Sequence, residues 1–279
     1  MAASGPPPTR RISRLVPAWL GLLVGGAVLF VIVERALVAT GNINLAPSVI
    51  LLGAFTVPIA FTAYVYQRVN DFDVGVATLA MCALWGGILG VVLASLVEAK
   101  TIQHLGVASA LGVGLIEEAA KLVVPLAIFF FGRRYAHEAD GLVIGVAVGM
   151  GFAAFETMGY GLTALLKTQG DVGQVEQLFL LRGLLAPAGH AAWTGLACAA
   201  LWRCRESPGA PAVRNAVFMF GLVVVLHGLW DGLGLLATYF VLAAISLGVL
   251  RVRVEVAAAE RRRGIDTGGA AQLRLPEPT

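Results

Sequence analysis

Along this chain the apolar positions gather into eight long runs separated by short polar segments, at about 15–33, 46–66, 74–97, 106–131, 141–166, 183–202, 214–231 and 233–250. A helix rises about 1.5 Å per residue, so roughly 17 to 25 apolar residues cross a hydrocarbon core of about 30 Å. Each run is that long or nearly so, and each predicts a spanning helix. The last two are divided only by the corner from Asp231 to Leu233, which makes them the least separated pair. The expected fold is therefore an all-α, polytopic transmembrane bundle of about eight spans.

Composition agrees. The 279 residues are 58% apolar and 13% charged, with a mean hydropathy of +0.83, whereas soluble domains carry about 25% charged residues. The net charge of +3 matters less than its placement. With the N-terminus inside, fifteen arginines fall on inner segments, against Arg35, Lys100, Lys167 and Arg182 on outer ones. Basic residues are retained on the cytoplasmic side, so both termini are expected there. Residues 1–14, with Pro6 to Pro8 and three arginines, read as a disordered basic leader ahead of a retained first helix. Residues 15–250 form the transmembrane domain, and 251–279 a basic tail with a short amphipathic extension followed by disorder. Cys82, Cys198 and Cys204 fit neither a disulfide framework nor a zinc ribbon. The pairs Gly21/Gly25, Gly86/Gly90, Gly145/Gly149 and Gly228/Gly232 have the spacing that lets helix backbones approach closely.

Charges inside the runs are few: Glu117, Glu118 and Lys121 in 106–131, Glu156 in 141–166, and Asp231 near the outer end of 214–231. Each costs about 2.5 to 3.5 kcal/mol at mid-bilayer when unpaired, so they must face one another or water. His190 and His227 join them. Counting residues from the outer ends puts Glu117, Glu156, His190 and His227 at depths of roughly 10 to 17 Å, one layer between midplane and outer leaflet. Lys121 stands i+4 from Glu117 and i+3 from Glu118, so it can hold one carboxylate and leave the other for chemistry. His227 and Asp231 are i,i+4, a spacing that suits two ligands of one metal or a carboxylate orienting an imidazole. His104 and His137 fall in loops and read as solvated, while Asp140 reads as a helix N-terminal acid.

These residues spell Glu117-Glu118-x-x-Lys121, Phe152-x-x-x-Glu156 and His227-x-x-x-Asp231, in order on three runs. With Asp140-Gly141, Gly151-Phe152 and the pair His190 and Thr194, they resemble the PrsW family of intramembrane proteases over about residues 106 to 240. More distantly they resemble the CAAX-protease-like superfamily, from which Lys121 and Glu156 depart. The resemblance implies proteolysis of membrane-anchored proteins in a bacterial plasma membrane, with an anti-sigma factor as the target type of the family's founding member. It marks Glu117, Glu118 and His227 as essential. The expected mechanism has Glu117 or Glu118 as general base on a water, Lys121 fixing the other carboxylate, and His227 polarising the scissile carbonyl. Asp231 would orient His227, with His190 and Glu156 completing the site. A zinc ion on His190, His227 and Asp231, with an open fourth position, is one form of this chemistry; a metal-free glutamate mechanism uses the same residues, and sequence does not choose between them.

No HExxH, no GxSxG and no pair of span-embedded aspartates occurs, which sets aside the zincin, serine and aspartyl classes. A proton-coupled secondary transporter and a catalytically inert membrane scaffold are the alternatives from other classes. The expected partners are the lipid bilayer and a membrane-anchored protein substrate; nucleic acid is not among them.

Overall fold

A computed structural model describes residues 17–69, 73–101 and 109–272. The described residues are helices and turns: α1 (Ala18–Thr40), α2 (Ala46–Val69), α3 (Val76–Thr101), α4 (Ser109–Lys121), α5 (Val123–Phe131), α6 (Glu138–Lys167), α7 (Val172–Leu185), α8 (Ala192–Glu206), α9 (Ala210–Leu233) and α10 (Leu236–Gln272). The all-α expectation holds. The basic leader 1–14, His104 and the last seven residues of the tail lie outside the described residues.

Six helical units among the described residues are long and apolar enough to cross a membrane: Ala18–Thr40, Ile43–Val69, Val76–Thr101, Glu138–Lys167, Val172–Glu206 and Ala210–Leu233. Of the eight runs, 106–131 is seen as two short helices. Pro125 has no N–H to give the carbonyl of Lys121, so α4 ends at Lys121, Leu122 turns back to Ala119 (3.2 Å), and α5 restarts at Val123. The run 233–250 is the first part of α10, which continues as helix to Gln272, well past a short extension. The segment 167–182, expected as an outer loop, is mostly helix. Asp171 caps α7 by accepting from the Gln174 N–H at 3.2 Å. The chain then passes through a π turn, Pro187–Ala191, directly into α8.

Helix α6 is the axis of the bundle, buried on nearly all sides between α3 and α8. Glycines explain how it fits. A Cβ on Gly141, Gly145 or Gly149 would come within 2.7, 2.5 or 2.2 Å of the carbonyl oxygens of Cys198, Thr194 and His190, so α8 and the π turn lie directly on the α6 backbone. On the opposite side, a Cβ on Gly151 would sit 2.0 Å from the Ala83 carbonyl oxygen of α3, while Gly86 and Gly90 of α3 receive Val148 and Phe152. The expected packing role thus holds for Gly86/Gly90, Gly145/Gly149 and Gly228/Gly232. Among the described residues, nothing lies within 4 Å of where a Cβ on Gly21 or Gly25 would sit.

At the N-terminal end of α6 a second set of polar contacts ties the helices together. Asp140 accepts from the His137 N–H at 3.0 Å, closing a capping box and matching its structural reading. Glu138 meets Arg203 of α8 and Arg253 of α10, and its own N–H donates to Glu206. Arg205 donates to the carbonyls of Phe129, Gly132 and Tyr135, pinning the turn after α5. His137, half-exposed, stands 3.4 Å from Glu206.

Candidate active site

The break after Lys121 leaves α4 as a short helix whose last turn points three charged side chains into the bundle. Gly114 brings α9 against it: a Cβ there would lie 2.9 Å from the Val224 carbonyl oxygen and 3.2 Å from the His227 Cβ. That close approach sets His227 beside the carboxylates. Lys121 Nζ donates to Glu118 Oε1 at 2.8 Å and to Glu117 Oε2 at 3.2 Å, and lies 4.3 Å from the centre of the Phe152 ring. His227 Nδ1 stands 2.8 Å from the same Glu118 oxygen, while its Nε2 is 3.6 Å from Glu117 Oε2 and 3.4 Å from Asp231 Oδ2. Glu117, Glu118, Lys121 and His227 are all buried. Burial of a lone charge would be prohibitive, and this arrangement offsets it by giving each charge an opposite neighbour.

Across from it, α6, α7 and the π turn build a second polar centre. Arg182 donates to Glu156 Oε2 at 2.6 Å and to Thr157 Oγ1 at 2.8 Å, and its guanidinium lies over the Tyr160 ring at 4.4 Å. His190 Nε2 is 3.3 Å from the same Glu156 oxygen. The two centres face one cavity of about 510 Å³, lined by Glu117, Glu156, Arg182, His190, His227 and Asp231, and also by Glu98 of α3. Trp193, Trp230 and Tyr239 supply aromatic wall. Trp193 packs against the His227 ring, centroids 5.0 Å apart, and is fixed by donating its indole N–H to Ser246 of α10 at 3.0 Å.

All seven residues singled out in the sequence therefore gather round this space. Glu118 and Lys121 stand behind its wall, and Glu117 lines it. Two charged residues of the cavity lining, Arg182 and Glu98, are not marked by the sequence. Hydropathy puts Arg182 in a loop because Gln169, Asp171, Gln174 and Glu176 interrupt the apolar pattern; the signal for a helix is Asp171 as an N-cap ahead of apolar Val175 and Phe179. Glu98 sits one residue past the expected end of its span, and nothing in its neighbourhood singled it out.

The donor types suit zinc, but their arrangement does not close round one. His190 turns its Nε2 to Glu156 and its ring centre is 6.1 Å from that of His227. The Lys121 ammonium already contacts both glutamates of α4. Among the described residues no group of three or more His, Cys, Asp or Glu side chains is placed to hold a metal ion.

No curated protein and no solved structure matches the chain. The sequence model of the PrsW family intramembrane metalloproteases matches residues 75–256, which takes in α3 with Glu98 and everything on to α10 short of its final turns. Two polar centres meeting in a cavity within a multi-span helical bundle are in keeping with that match, and the chain belongs to the PrsW family of intramembrane metalloproteases, a family of peptidases.

Proposed function

We propose that the chain hydrolyses peptide bonds of membrane-anchored proteins in the cavity between α4, α6, α7 and α9, with Glu117 as general base. One observation carries the choice of Glu117. Glu118 is fully enclosed and bonded to both Lys121 and His227, whereas Glu117 lines the cavity. In this reading Glu117 takes a proton from a cavity water and the resulting hydroxide attacks the scissile carbonyl carbon. His227 Nε2 faces the developing oxyanion. The tetrahedral intermediate collapses with cleavage of the C–N bond as Glu117 returns the proton to the leaving amine. Lys121 holds Glu117 and Glu118 in register, Glu118 orients the imidazole through Nδ1, and Asp231 lies beside Nε2 as a compensating negative charge. Arg182, Glu156 and His190 form the opposite wall, against which the substrate backbone lies.

The basic-residue bias supports eight passes with both termini cytoplasmic, the α4–α5 pair and the first part of α10 completing the six long units. Arg182 is engaged inside the bundle, which leaves the outer loops still poorer in positive charge. The membrane is that of a bacterial cell, and the substrate a single-span regulatory protein of the anti-sigma type. Comparing membrane-protein N-termini in cells making wild type or Glu117→Gln/Glu118→Gln at equal abundance tests this. New N-termini near the outer ends of single-span proteins should appear only with wild type. Indistinguishable profiles under several envelope stresses would overturn the protease reading in favour of a proton-coupled transporter or an inert scaffold.

A further inference from the structure

The cavity's charges can be paired off, and one is left over. Lys121 holds Glu117 and Glu118, Arg182 holds Glu156, and His227 faces Asp231. Glu98, on the last turns of α3, also lines the cavity. Its Oε1 is buried without a hydrogen-bond partner, and among the described residues no lysine, arginine or histidine lies within ion-pair distance of it. The side chain as a whole is only part-buried and lines the cavity, so cavity water can reach the rest of the carboxylate while the site is empty. A polypeptide filling the cavity expels that water, and the carboxylate must then either take up a proton or meet a cation that the polypeptide brings; a cation lets it stay ionised and gains an ion pair.

We propose that Glu98 reads a lysine or arginine side chain on the substrate, close to the bond that is cut. The proposal rests on the proteolytic reading above and adds the substrate's charge to it. A volume of 510 Å³ is about 10 Å across, which an extended chain spans in about three residues. The cation therefore lies within about three residues of the scissile bond, at the outer end of a substrate span. Glu98 is a specificity residue: it touches the substrate side chain and takes no part in the bond-breaking step.

The test uses the full-length protein in lipid nanodiscs and single-span reporters whose alanine-rich outer segment carries Lys, Gln or Glu at each position in turn, with products mapped by N-terminal sequencing. Wild type should cleave the best Lys reporter about tenfold or more faster than its Gln counterpart, the value of one charge-assisted contact, and the Glu reporter slowest. Glu98→Gln should erase the Lys-over-Gln ratio, with the change carried in KM. Glu98→Lys should invert the order so that Glu reporters become the best. A wild type without charge preference, or a Glu98→Gln enzyme that keeps the wild-type ratio, would overturn the assignment of Glu98 while leaving proteolysis in place. Because the readout is a ratio, a general loss of activity in either variant does not mimic the result. Wild type cleaving none of the reporters would instead strike at the proteolytic reading itself.

Discussion

At its N-terminal end α6 sets Glu138 against Arg203 and Arg253; about five turns further on it sets Glu156 against Arg182 and His190. Both are carboxylates of one helix, each held by arginine from a neighbouring helix. At the Glu138 end the surrounding polar groups are helix caps and backbone carbonyls, including those bound by Arg205, and the contacts join α5, α6, α8 and α10 directly. At the Glu156 end the ion pair faces 510 Å³ of open space shared with a second charged centre. Arginine–carboxylate chemistry alone therefore does not distinguish a strut from a site. What distinguishes them is whether the pair closes on protein or faces space that another molecule can fill.

The largest effect should come from the centre facing that space. Glu117→Gln keeps the side chain's size and hydrogen-bonding reach but cannot accept the water's proton. Loss of a general base costs about 10² to 10⁴ in rate, and reporter cleavage should fall by that amount with helix content by circular dichroism unchanged. A loss below tenfold would move the base elsewhere, with Glu118→Gln the next variant to measure.

Arg182→Gln probes the opposite wall of the same cavity. It removes the donor to Glu156 and Thr157 and the stacking on Tyr160, leaving Glu156 with His190 alone. The expected result is a loss of about tenfold to a hundredfold in kcat/KM, in line with the roughly 1 to 3 kcal/mol of leaving a part-buried polar group without its partner. Arg182→Lys should recover part of it, since a point charge can meet Glu156 but cannot also bridge to Thr157. If Arg182→Gln altered only thermal stability, the two ends of α6 would be equivalent and the comparison would break.

How these centres were visible in the sequence differs in a physical way. Glu117, Glu118 and Lys121 announce themselves because a helix places i, i+3 and i+4 on one face, and the bonds of 2.8 and 3.2 Å follow from that spacing. His227 and Asp231 likewise end 3.4 Å apart. Arg182 and Glu98 are brought in by tertiary packing, α7 alongside α6 and the end of α3 beside α4, which one-dimensional hydropathy does not carry. The division of 106–131 into α4 and α5 was written in Pro125, though a hydropathy average passes over a missing N–H. The glycine pairs were read correctly as packing in three cases. For Gly21/Gly25 the spacing is present, but no helix among the described residues packs against it.

At the other end of α6, Glu138→Gln should act on stability and not on chemistry. It weakens contacts with both Arg203 and Arg253, each partly exposed to solvent, so the cost is about 1 to 2 kcal/mol after screening. Thermal unfolding in detergent should shift down by a few degrees while cleavage per folded molecule stays at the wild-type value. A drop in kcat/KM comparable to that of Arg182→Gln would show that the Glu138 end is coupled to the cavity, contrary to its reading as a strut.

The smallest effect is expected from Arg253→Gln, and it is the sharpest test of that strut. Arg253 reaches Glu138 at 3.4 Å, the long edge of hydrogen bonding, while Glu138 retains Arg203. Although the pair is part-buried, a single contact at this length, on a carboxylate that keeps a second arginine, contributes about 1 kcal/mol or less. Helix α10 also keeps its other anchors: the Arg68–Glu255 bridge at 2.8 Å, the Trp193–Ser246 hydrogen bond at 3.0 Å, and buried Leu250, Val254 and Ala257. The variant should therefore unfold within about a degree or two of wild type, and its loss should shrink further in high salt, as expected of a screened pair. A larger or salt-independent loss would mean that α10 depends on this one contact for its place. Because Ser246 of α10 fixes the indole that packs on His227, such a result would carry the tail's attachment through Trp193 into the site, and cleavage by Arg253→Gln would then fall together with stability.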